Sequence, residues 1–439
     1  MASPSSTNRP LPPTPLERAT VPDLGTEPIP ASRYTSPEWA AREREKMWPR
    51  VWLLAGFECD LAEPGSWFTF EIAADSILIT RQHDGNIGAF HNVCMHRGNR
   101  LVDPGSGRTR SFVCGYHAWR YGSDGALQAA IDEDTFPQGC PRSELDLRRV
   151  RVDTWAGFVF INMDDQAESL RDYLGVIPSH LDPYHFEEMT LLDDTTIELD
   201  CNWKAGTDAF NEAYHILGTH PDTLDVNDDT DCPIDIYGRH TRMLLPLAKA
   251  SARHATYGQV NDTIKEHFLK TAGIDVESWT GGPEDVVPSM ARSIRETQAP
   301  AMGADFSELH DRQLVDDFHY TLFPNVNLNI FGRTAWMFRH RPHPTDPNKE
   351  YFDFFNLVRA PKMNLPRSPH QDVPYEVASK EGGWEPAGGG GKLLRQDLYN
   401  LPRVQAGMNS RGFSGLHLGN QELRVRAFHK ALEDYVGKD

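Results

Sequence analysis

Short stretches of alternating hydrophobic and polar residues fill the chain from Val51 to about Met163, with turn residues between them. The stretches that best show the two-residue period of strands are SWFTFEI, DSILITRQ and IGAFHNV. Asp84-Gly85, between the last two, is a dipeptide typical of tight hairpins. The pattern predicts a compact all-β domain over residues 51–163.

A mixed pattern runs from residue 164 to the end of the chain. The segment CNWKAGTDAFNEAYHIL has helical spacing, and residues 255–320 are predicted to be largely helical with loops. A β-meander is predicted for FHYTLFPNVNLNIF, TAWMFRHRPH and YFDFFNLVR, and an amphipathic helix for NQELRVRAFHKALEDYV. A curved antiparallel sheet backed by a long helix would bury both apolar faces, so we expect an α+β domain over residues 164–439.

The first 50 residues divide into two parts. Residues 1–30 are rich in Pro, Ser and Thr and predict a disordered leader. Ser36 is a good N-cap for a helix that begins with Pro37 and Glu38 and ends before Pro49. We expect this helix, within residues 31–50, to pack on the larger domain.

The length and net charge of the chain exclude some classes of function. A chain of 439 residues predicts two or three cooperating domains, and its net charge of −19 argues against nucleic-acid or anionic-membrane partners. No apolar run approaches the roughly 20 residues of a membrane span, and no signal peptide is recognisable at the start. We therefore expect a cytoplasmic chain.

The six cysteines form no secreted disulfide pattern, which favours metal binding for those near histidines. Cys94-x-His96 is followed after 17 residues by Cys114-x-x-His117. Zinc is one candidate, but zinc fingers usually group like ligands, whereas here each loop supplies one Cys and one His. That arrangement suits a two-iron cluster in which one iron takes both thiolates and the other both imidazoles.

A second pair of histidines, His215 and His220, lies within NWKAGTDAFNEAYHILGTHPDT. Residues five apart on an unbroken helix point in different directions, but Gly218 and Pro221 allow the helix to end and the chain to turn. Two imidazoles and one carboxylate form the facial triad of oxygen-activating Fe(II).

The Cys/His motif with its continuation HAWRYGSDG resembles the Rieske non-heme iron oxygenases, specifically the α-type component of aromatic-ring-hydroxylating enzymes, over roughly residues 35–439. The resemblance implies a small all-β Rieske domain that carries a [2Fe-2S] cluster, and a catalytic domain of helix-grip type that carries one Fe(II). It assigns the cluster to Cys94, His96, Cys114 and His117, and the Fe(II) to His215, His220 and Asp397, the acid in RQDLYNLPRVQAG.

The same resemblance implies that Glu212 bridges the Fe(II) site to His117 of a neighbouring copy in a homotrimer, although most relatives use Asp there. Asp208 is a weaker candidate for a supporting role. Family position and alternation suggest a largely apolar substrate pocket with the following lining residues: Phe210, Ile216, Phe323, Asn327 and Asn329.

The expected function is that of a terminal oxygenase, which uses O₂ to dihydroxylate a ring of a small hydrophobic, aromatic substrate. Because the chain has no flavin or nicotinamide fingerprint, a ferredoxin or flavin reductase should supply the electrons. Three alternatives remain open: a Rieske monooxygenase that removes alkyl groups or monohydroxylates, a Rieske electron carrier with a ligand-binding domain, and a zinc-stabilised binding protein.

Overall fold

The computed structural model describes residues 15–438, and the chain divides into two compact units. Of the described residues, the smaller unit comprises 41–173 and 343–346, and the larger comprises 15–40, 174–342 and 347–438. The division falls inside the helix Pro37–Lys46, after Ala40. None of the helices in residues 15–438 has the length and apolar content that crossing a bilayer requires.

The smaller unit is built from two antiparallel β-sheets, as the alternating pattern predicts. The seven-stranded sheet contains, in chain order, Leu53–Phe57, Ser66–Ile72, Asp75–Arg81, Ile87–His91, Ser106–Arg108, Arg149–Trp155 and Phe158–Asn162. The three-stranded sheet contains Ser111–Val113, Arg120–Gly122 and Leu127–Ala129. The hairpin predicted at Asp84-Gly85 is present, with Gly85 at a φ of +88° that glycine adopts without strain.

The larger unit is centred on an eight-stranded curled sheet. Its strands, in spatial order, are Ile234–Tyr237, His240–Leu245, Asp317–Leu322, Val326–Phe331, Thr334–Pro342, Glu350–Arg359, Met189–Leu199 and Gln371–Asp372. Only the last pairing is parallel. The predicted meander therefore forms the middle of the sheet, and the α+β expectation is confirmed. A two-stranded pairing joins Ile29–Pro30 to Gly415–Leu416.

One face of this sheet carries Trp203–Ala209, Gly391–Met408 and the predicted terminal helix, Leu423–Val436. Gly206 allows the first of these helices to approach closely, because a Cβ there would collide with Glu350 and His340 of the sheet. The remaining α-helices are Ser32–Thr35, Pro37–Lys46, Leu170–Leu174, Ile177–Leu181, Ile216–Thr219, Pro283–Ser293, Ala299–Met302, Asp311–Val315 and Tyr375–Ala378. Two π-helices span Ile264–Leu269 and Ile294–Gln298.

The N-terminal segment differs in part from its prediction. Ser36 Oγ accepts hydrogen bonds from the amides of Glu38 and Trp39, both at 3.1 Å, and so caps Pro37–Lys46 as expected. Of the predicted leader, residues 1–30, the first 14 residues lie outside the described part of the chain. Residues 15–30 are in contact with the larger unit, because Arg18 and the amide of Ala19 both donate to Asp235, so disorder is the wrong description for them.

The helix predicted across residues 201–217 is interrupted. It ends at Ala209 and resumes only as the single turn Ile216–Thr219. The break has a tertiary cause: the Asn211 side chain accepts hydrogen bonds from Thr321 and from Asn327 of the sheet, which draws the backbone out of the helix. Glu212 and His215 therefore do not share a helix face.

Candidate functional site

Three side chains of the larger unit converge on one point. His220 Nε2 lies 3.0 Å and His215 Nε2 3.8 Å from Asp397 Oδ1. Among the described residues, these three form the one group of His, Cys, Asp or Glu close enough to hold a single ion, with ligand atoms within 4.8 Å of one another. Two imidazoles and one carboxylate are the donor set expected for non-heme Fe(II).

Local sequence explains how the two histidines meet. His215 stands immediately before the turn Ile216–Thr219, and His220 follows it with φ −120° and ψ 45°, outside the helical region. Pro221 then opens a new 3₁₀ turn. The chain thus reverses between the two imidazoles, and their ring centroids lie 5.1 Å apart.

Asp397 lies on the helix Gly391–Met408, which the hydrophobic pattern of the sequence does not predict. Its start in four consecutive glycines and its internal Pro402 conceal the helical pattern. Leu394, Leu398 and Leu401 of this helix are buried, so Asp397 belongs to the face that packs into the unit and has only 9% of its surface exposed.

Each histidine has its other ring nitrogen occupied by an oxygen acceptor. His215 Nδ1 lies 2.7 Å from Glu212 Oε1, and His220 Nδ1 lies 2.8 Å from Gln396 Oε1. Since each acceptor holds a proton at Nδ1, the neutral form of each ring presents the lone pair of Nε2 to a metal. The residues present therefore fit an Fe(II) ion. Gln396, next to Asp397, was not recognised from the sequence.

Glu212 also controls the charge of His215. Burial by itself lowers the pKa of His215, but the hydrogen bond and charge of Glu212, with the charge of Asp397, raise that pKa to about 9. The second oxygen of Glu212 accepts from the His215 backbone amide at 2.9 Å. Glu212 therefore fixes the ring and makes it a more basic ligand.

Asp208 belongs to a separate buried cluster one turn earlier. Its Oδ2 accepts a hydrogen bond from Tyr34 Oη at 2.5 Å and lies 3.3 Å from His429 Nε2. Tyr34 Oη also lies 2.7 Å from His429 Nε2. The contacts join the N-terminal segment, the helix Trp203–Ala209 and the terminal helix, which indicates a supporting role for Asp208.

The four predicted cluster ligands of the smaller unit lie on two loops with similar backbone hydrogen bonds. In each loop the cysteine amide donates to the carbonyl five residues later, from Cys94 to Asn99 at 2.7 Å and from Cys114 to Trp119 at 2.8 Å. Residues 98 and 118, each four positions after the cysteine, both have positive φ. This correspondence places Cys94 and Cys114 at equivalent points of the two loops, whereas His96 follows its cysteine by two residues and His117 by three.

Their side chains suit a two-iron cluster better than a single zinc ion. Both thiols are 2% exposed, and the rings of His96 and His117 lie 4.6 Å apart. His96 Nδ1 is buried and lacks a hydrogen-bond partner among residues 15–438, as expected of a nitrogen that awaits a metal. No three of these four ligands come close enough to share one ion, unlike the triad, which argues against zinc.

The two sulfurs differ in their surroundings: burial raises the pKa of Cys94, whereas the surroundings of Cys114 favour thiolate. Burial acts to raise the pKa of Cys114, but hydrogen bonds from the backbone amides of Tyr116 and His117 bring that pKa below its ordinary value. Asn99 Nδ2 donates to Cys114 Sγ at 3.7 Å, and the hydroxyl of Tyr121 lies 3.5 Å from Cys94 Sγ. Hydrogen bonds of this kind stabilise charge on cluster sulfurs.

The predicted pocket residues have different surroundings. Phe210 stacks on Phe338 at 4.2 Å, and Ile216 packs with residues of the strand His240–Leu245. Asn327 is fully buried and donates to Asn211 and Thr321. Asn329 is partly exposed.

Phe323 has the surroundings of a core residue. It is 1% exposed and packs on Phe428 and Tyr435 of the terminal helix. Phe323 stands at the turn after Asp317–Leu322, where its side chain meets that helix. Its place in the substrate pocket stays a prediction.

The comparisons with known proteins agree with this geometry. Residues 186–438 match the family model "Ring hydroxylating alpha subunit (catalytic domain)", and residues 51–138 match "Rieske [2Fe-2S] domain". A glycine betaine monooxygenase oxygenase subunit from Chromohalobacter salexigens is 33% identical over 48% of this chain and 47% of its own length. The large oxygenase component of a naphthalene 1,2-dioxygenase system from Pseudomonas aeruginosa is 34% identical over 42% of each chain. The chain thus matches about half the length of these relatives.

Solved structures share the fold of the whole chain. A quaternary ammonium Rieske monooxygenase superposes with a TM-score of 0.67 at 19% identity, over 94% of this chain and 95% of the other. A naphthalene 1,2-dioxygenase mutant superposes with a TM-score of 0.66 at 20% identity, over 93% and 92%. Fold, ligand geometry and matched domains lead to one conclusion: the chain belongs to the family of ring-hydroxylating α subunits, with a Rieske [2Fe-2S] domain and an iron-binding catalytic domain.

Proposed function

We propose that this chain is a cytoplasmic terminal oxygenase component that uses O₂ to hydroxylate a small hydrophobic, aromatic substrate, with ring dihydroxylation as the leading reaction. The observation that carries the proposal is the triad of His215, His220 and Asp397, whose two histidines keep Nε2 free through acceptors at Nδ1. An electron carrier with a ligand-binding domain would have no need of these three converging side chains.

The residues around the triad have separate tasks in the proposed reaction. When bound, the mononuclear iron supplies O₂ activation, and the [2Fe-2S] cluster supplies electrons one at a time. Asp397 and the two histidines would hold the metal. Glu212 holds a proton at His215 Nδ1, and Gln396 orients His220.

We propose that electrons come from a ferredoxin or flavin reductase and that the active assembly is a homotrimer in which His117 of one copy approaches Glu212 of the next. Each of these two sites lies beside an exposed aromatic side chain. Tyr116, next to His117, is 55% exposed, and Tyr214, next to His215, is 61% exposed. Large exposed aromatic residues are typical of protein interfaces.

Monooxygenation is the second candidate, and one specific observation favours it. The stretch that matches the glycine betaine monooxygenase subunit covers 48% of the chain at 33% identity, a match as extensive as that to the naphthalene dioxygenase component. Both reactions need the same two metal centres, so the product must distinguish them.

The test is iron and sulfide analysis of anaerobically purified protein, with EPR after reduction. We expect about three irons and about two sulfides per chain. Asp397→Ala should lose one iron and keep the cluster signal, whereas Cys114→Ser should lose the cluster. Asp222→Ala is the matched control, because this acid is 67% exposed and pairs with Lys392.

Two results would overturn the proposal: zinc in place of iron, or full iron content in Asp397→Ala. Turnover under labelled O₂ then separates the two candidates. Incorporation of two labelled atoms in one product supports dihydroxylation, and incorporation of one supports monooxygenation.

A further inference from the structure

One hydroxyl group of the catalytic sheet uses all of its hydrogen-bonding capacity. Thr321 Oγ1 accepts hydrogen bonds from Arg424 Nη2 at 2.5 Å and from Asn327 Nδ2 at 3.0 Å. It donates its own hydrogen to Asn211 Oδ1. A threonine hydroxyl has one hydrogen and two lone pairs, so these three bonds leave none of its positions free. All four side chains are buried, and none of them is more than 2% exposed.

Arg424 fixes the direction in which this hydroxyl points. The guanidinium also donates from Nε to Thr241 Oγ1 at 3.0 Å, and Thr241 lies directly opposite Thr321 on the neighbouring strand. Burial lowers the pKa of Arg424 to about 9, against the charge of Asp317, so the side chain stays a cation at neutral pH. Since a guanidinium can only donate, the hydroxyl hydrogen of Thr321 must point away from it, toward Asn211.

Asn211 belongs to a loop between two helical segments. The helix Trp203–Ala209 ends before this loop, and the turn Ile216–Thr219 begins after it. Glu212 follows Asn211 directly and accepts hydrogen bonds from the His215 amide at 2.9 Å and from His215 Nδ1 at 2.7 Å. The bonds of Asn211 to the sheet therefore determine where the Glu212 carboxylate stands, and Glu212 determines how the His215 ring is oriented.

A series of contacts thus leads from the terminal helix to the triad. Hydrogen bonds connect Arg424 to Thr321 and Thr321 to Asn211. The backbone then continues to Glu212, which holds His215. A clamp between helix and sheet needs only the bonds of the guanidinium to the two threonines. The additional bond to Asn211 contributes nothing to such a clamp, and it leads toward the iron site.

We propose that Thr321 is a positioning residue for the mononuclear iron site. Its hydroxyl, oriented by Arg424, holds Asn211 in place. Asn211 in turn fixes Glu212, whose carboxylate orients His215 as a ligand. The inference rests on the proposed function, because it assumes that His215 binds Fe(II).

The test is the affinity of the anaerobically purified protein for Fe(II) alone, measured by dialysis against graded chelator concentrations. Thr321→Val has nearly the shape of threonine but lacks the hydroxyl, so Asn211 loses the shorter of its two bonds to the sheet. We expect about 5–10-fold weaker Fe(II) binding with an unchanged [2Fe-2S] signal. Thr321→Ser retains the hydroxyl and should bind Fe(II) within about twofold of the unmodified protein.

Thr241→Val is the matched control. It removes the same group from the same guanidinium, at a side chain that is equally buried, but Thr241 has no bond to Asn211 in the described part of the chain. Both valine variants should lose similar stability in urea, because each leaves a buried donor of Arg424 without its partner. Only Thr321→Val should lose Fe(II) affinity. Equal losses of Fe(II) affinity in the two variants would overturn the proposal.

A double-mutant cycle shows whether the effect passes through Glu212. Glu212→Ala should itself weaken Fe(II) binding, and the addition of Thr321→Val should weaken it further by less than about twofold. A full additional loss in that background, or no loss in Thr321→Val alone, would refute the role of Thr321.

If Thr321→Val does not fold, Asn211→Ala takes its place with the same expected results, since it removes the acceptor of the same hydrogen bond. Absence of mononuclear Fe(II) binding by the unmodified protein would refute the proposed function itself. The two failures are therefore distinguishable in one set of measurements.

Discussion

The hydrogen bonds at the two Nδ1 atoms determine which histidine nitrogen can bind a metal. Without them, either tautomer of a neutral imidazole is available, and the orientation of the ring is no longer fixed. His215 obtains its acceptor from Glu212 and His220 from Gln396, so the two rings depend on different supporting residues. Each support can therefore be tested separately.

Gln396→Leu should weaken iron binding while the fold remains intact. The change removes the acceptor for His220 Nδ1 but keeps a side chain of similar size, so we expect about a 10–100-fold loss of iron affinity. Iron retention after dialysis against a graded series of chelator concentrations measures the effect. Lys392→Gln, an exposed substitution on the same helix, should behave as the unmodified protein does. Equal retention in both variants would contradict the assigned role.

Glu212→Ala should separate iron binding from electron delivery. Loss of its carboxylate removes both hydrogen bonds to His215 and the charge proposed to connect to the neighbouring cluster. We expect a prereduced cluster to reoxidise at least about 10-fold more slowly in the presence of substrate and O₂, in samples reconstituted to full iron content. Stopped-flow absorbance of the cluster gives this rate. Full iron content with an unchanged rate would exclude the proposed route.

At the scale of elements, the strands of the catalytic sheet are joined by a buried ion cluster. Asp353 accepts hydrogen bonds from Arg339 Nε and from Arg341 Nε, both at 2.7 Å. The cluster joins Thr334–Pro342 to Glu350–Arg359, the two longest strands of the meander. These strands also carry Trp336 and Phe338, so the cluster helps to fix the sheet beneath the site.

Asp353→Asn should destabilise the catalytic unit by about 3–5 kcal/mol, because it removes the charge that pairs with the buried Arg339 and the partly buried Arg341. Burial acts to raise the pKa of Asp353, but the two arginines bring it well below its ordinary value. A lowered folded-state pKa means that its stabilisation is complete above the unfolded-state pKa and is lost as the pH falls through the folded-state value.

Urea unfolding at neutral and acidic pH measures both effects. The destabilisation by Asp353→Asn should shrink as the pH is lowered, since the unmodified protein then loses the same charge. Glu198→Gln, which breaks the more exposed pair with Lys349, should cost at most about 1 kcal/mol. Similar losses in the two variants would refute the role of the buried cluster.

The sequence predicts elements well where local pattern and packing agree. Ser66–Ile72 coincides with its predicted strand because alternation sets both burial and pairing. Prediction fails where tertiary contacts override the local pattern, as at Asn211, whose bonds to the sheet end a helix that spacing alone would continue. The inward position of Thr321 was missed for a similar reason: alternation shows that residues share a face but not which face is buried.

At the scale of the whole molecule, two metal centres on separate compact units raise the question of which copies exchange electrons. If the cluster of one chain reduces the iron of its neighbour, the iron site of a chain without a cluster stays active when the neighbouring chain holds one. If each cluster reduces the iron of its own chain, a chain with either defect is inactive in every assembly. Mixed assemblies therefore distinguish the two arrangements.

We expect activity to reappear when Cys114→Ser and Asp397→Ala chains, each inactive alone, are co-expressed in equal amounts with different affinity tags. Purification through both tags keeps only trimers that contain both kinds of chain. In each of these trimers one site has the iron in its own chain and the cluster in its donor neighbour, so about one third of the sites should work. Coupled product formation per chain, after purification through both tags, measures this fraction. Chains of the two kinds mixed after separate purification control for exchange between preformed assemblies. No activity in a co-purified assembly with intact iron and cluster signals would show that electrons stay within one chain.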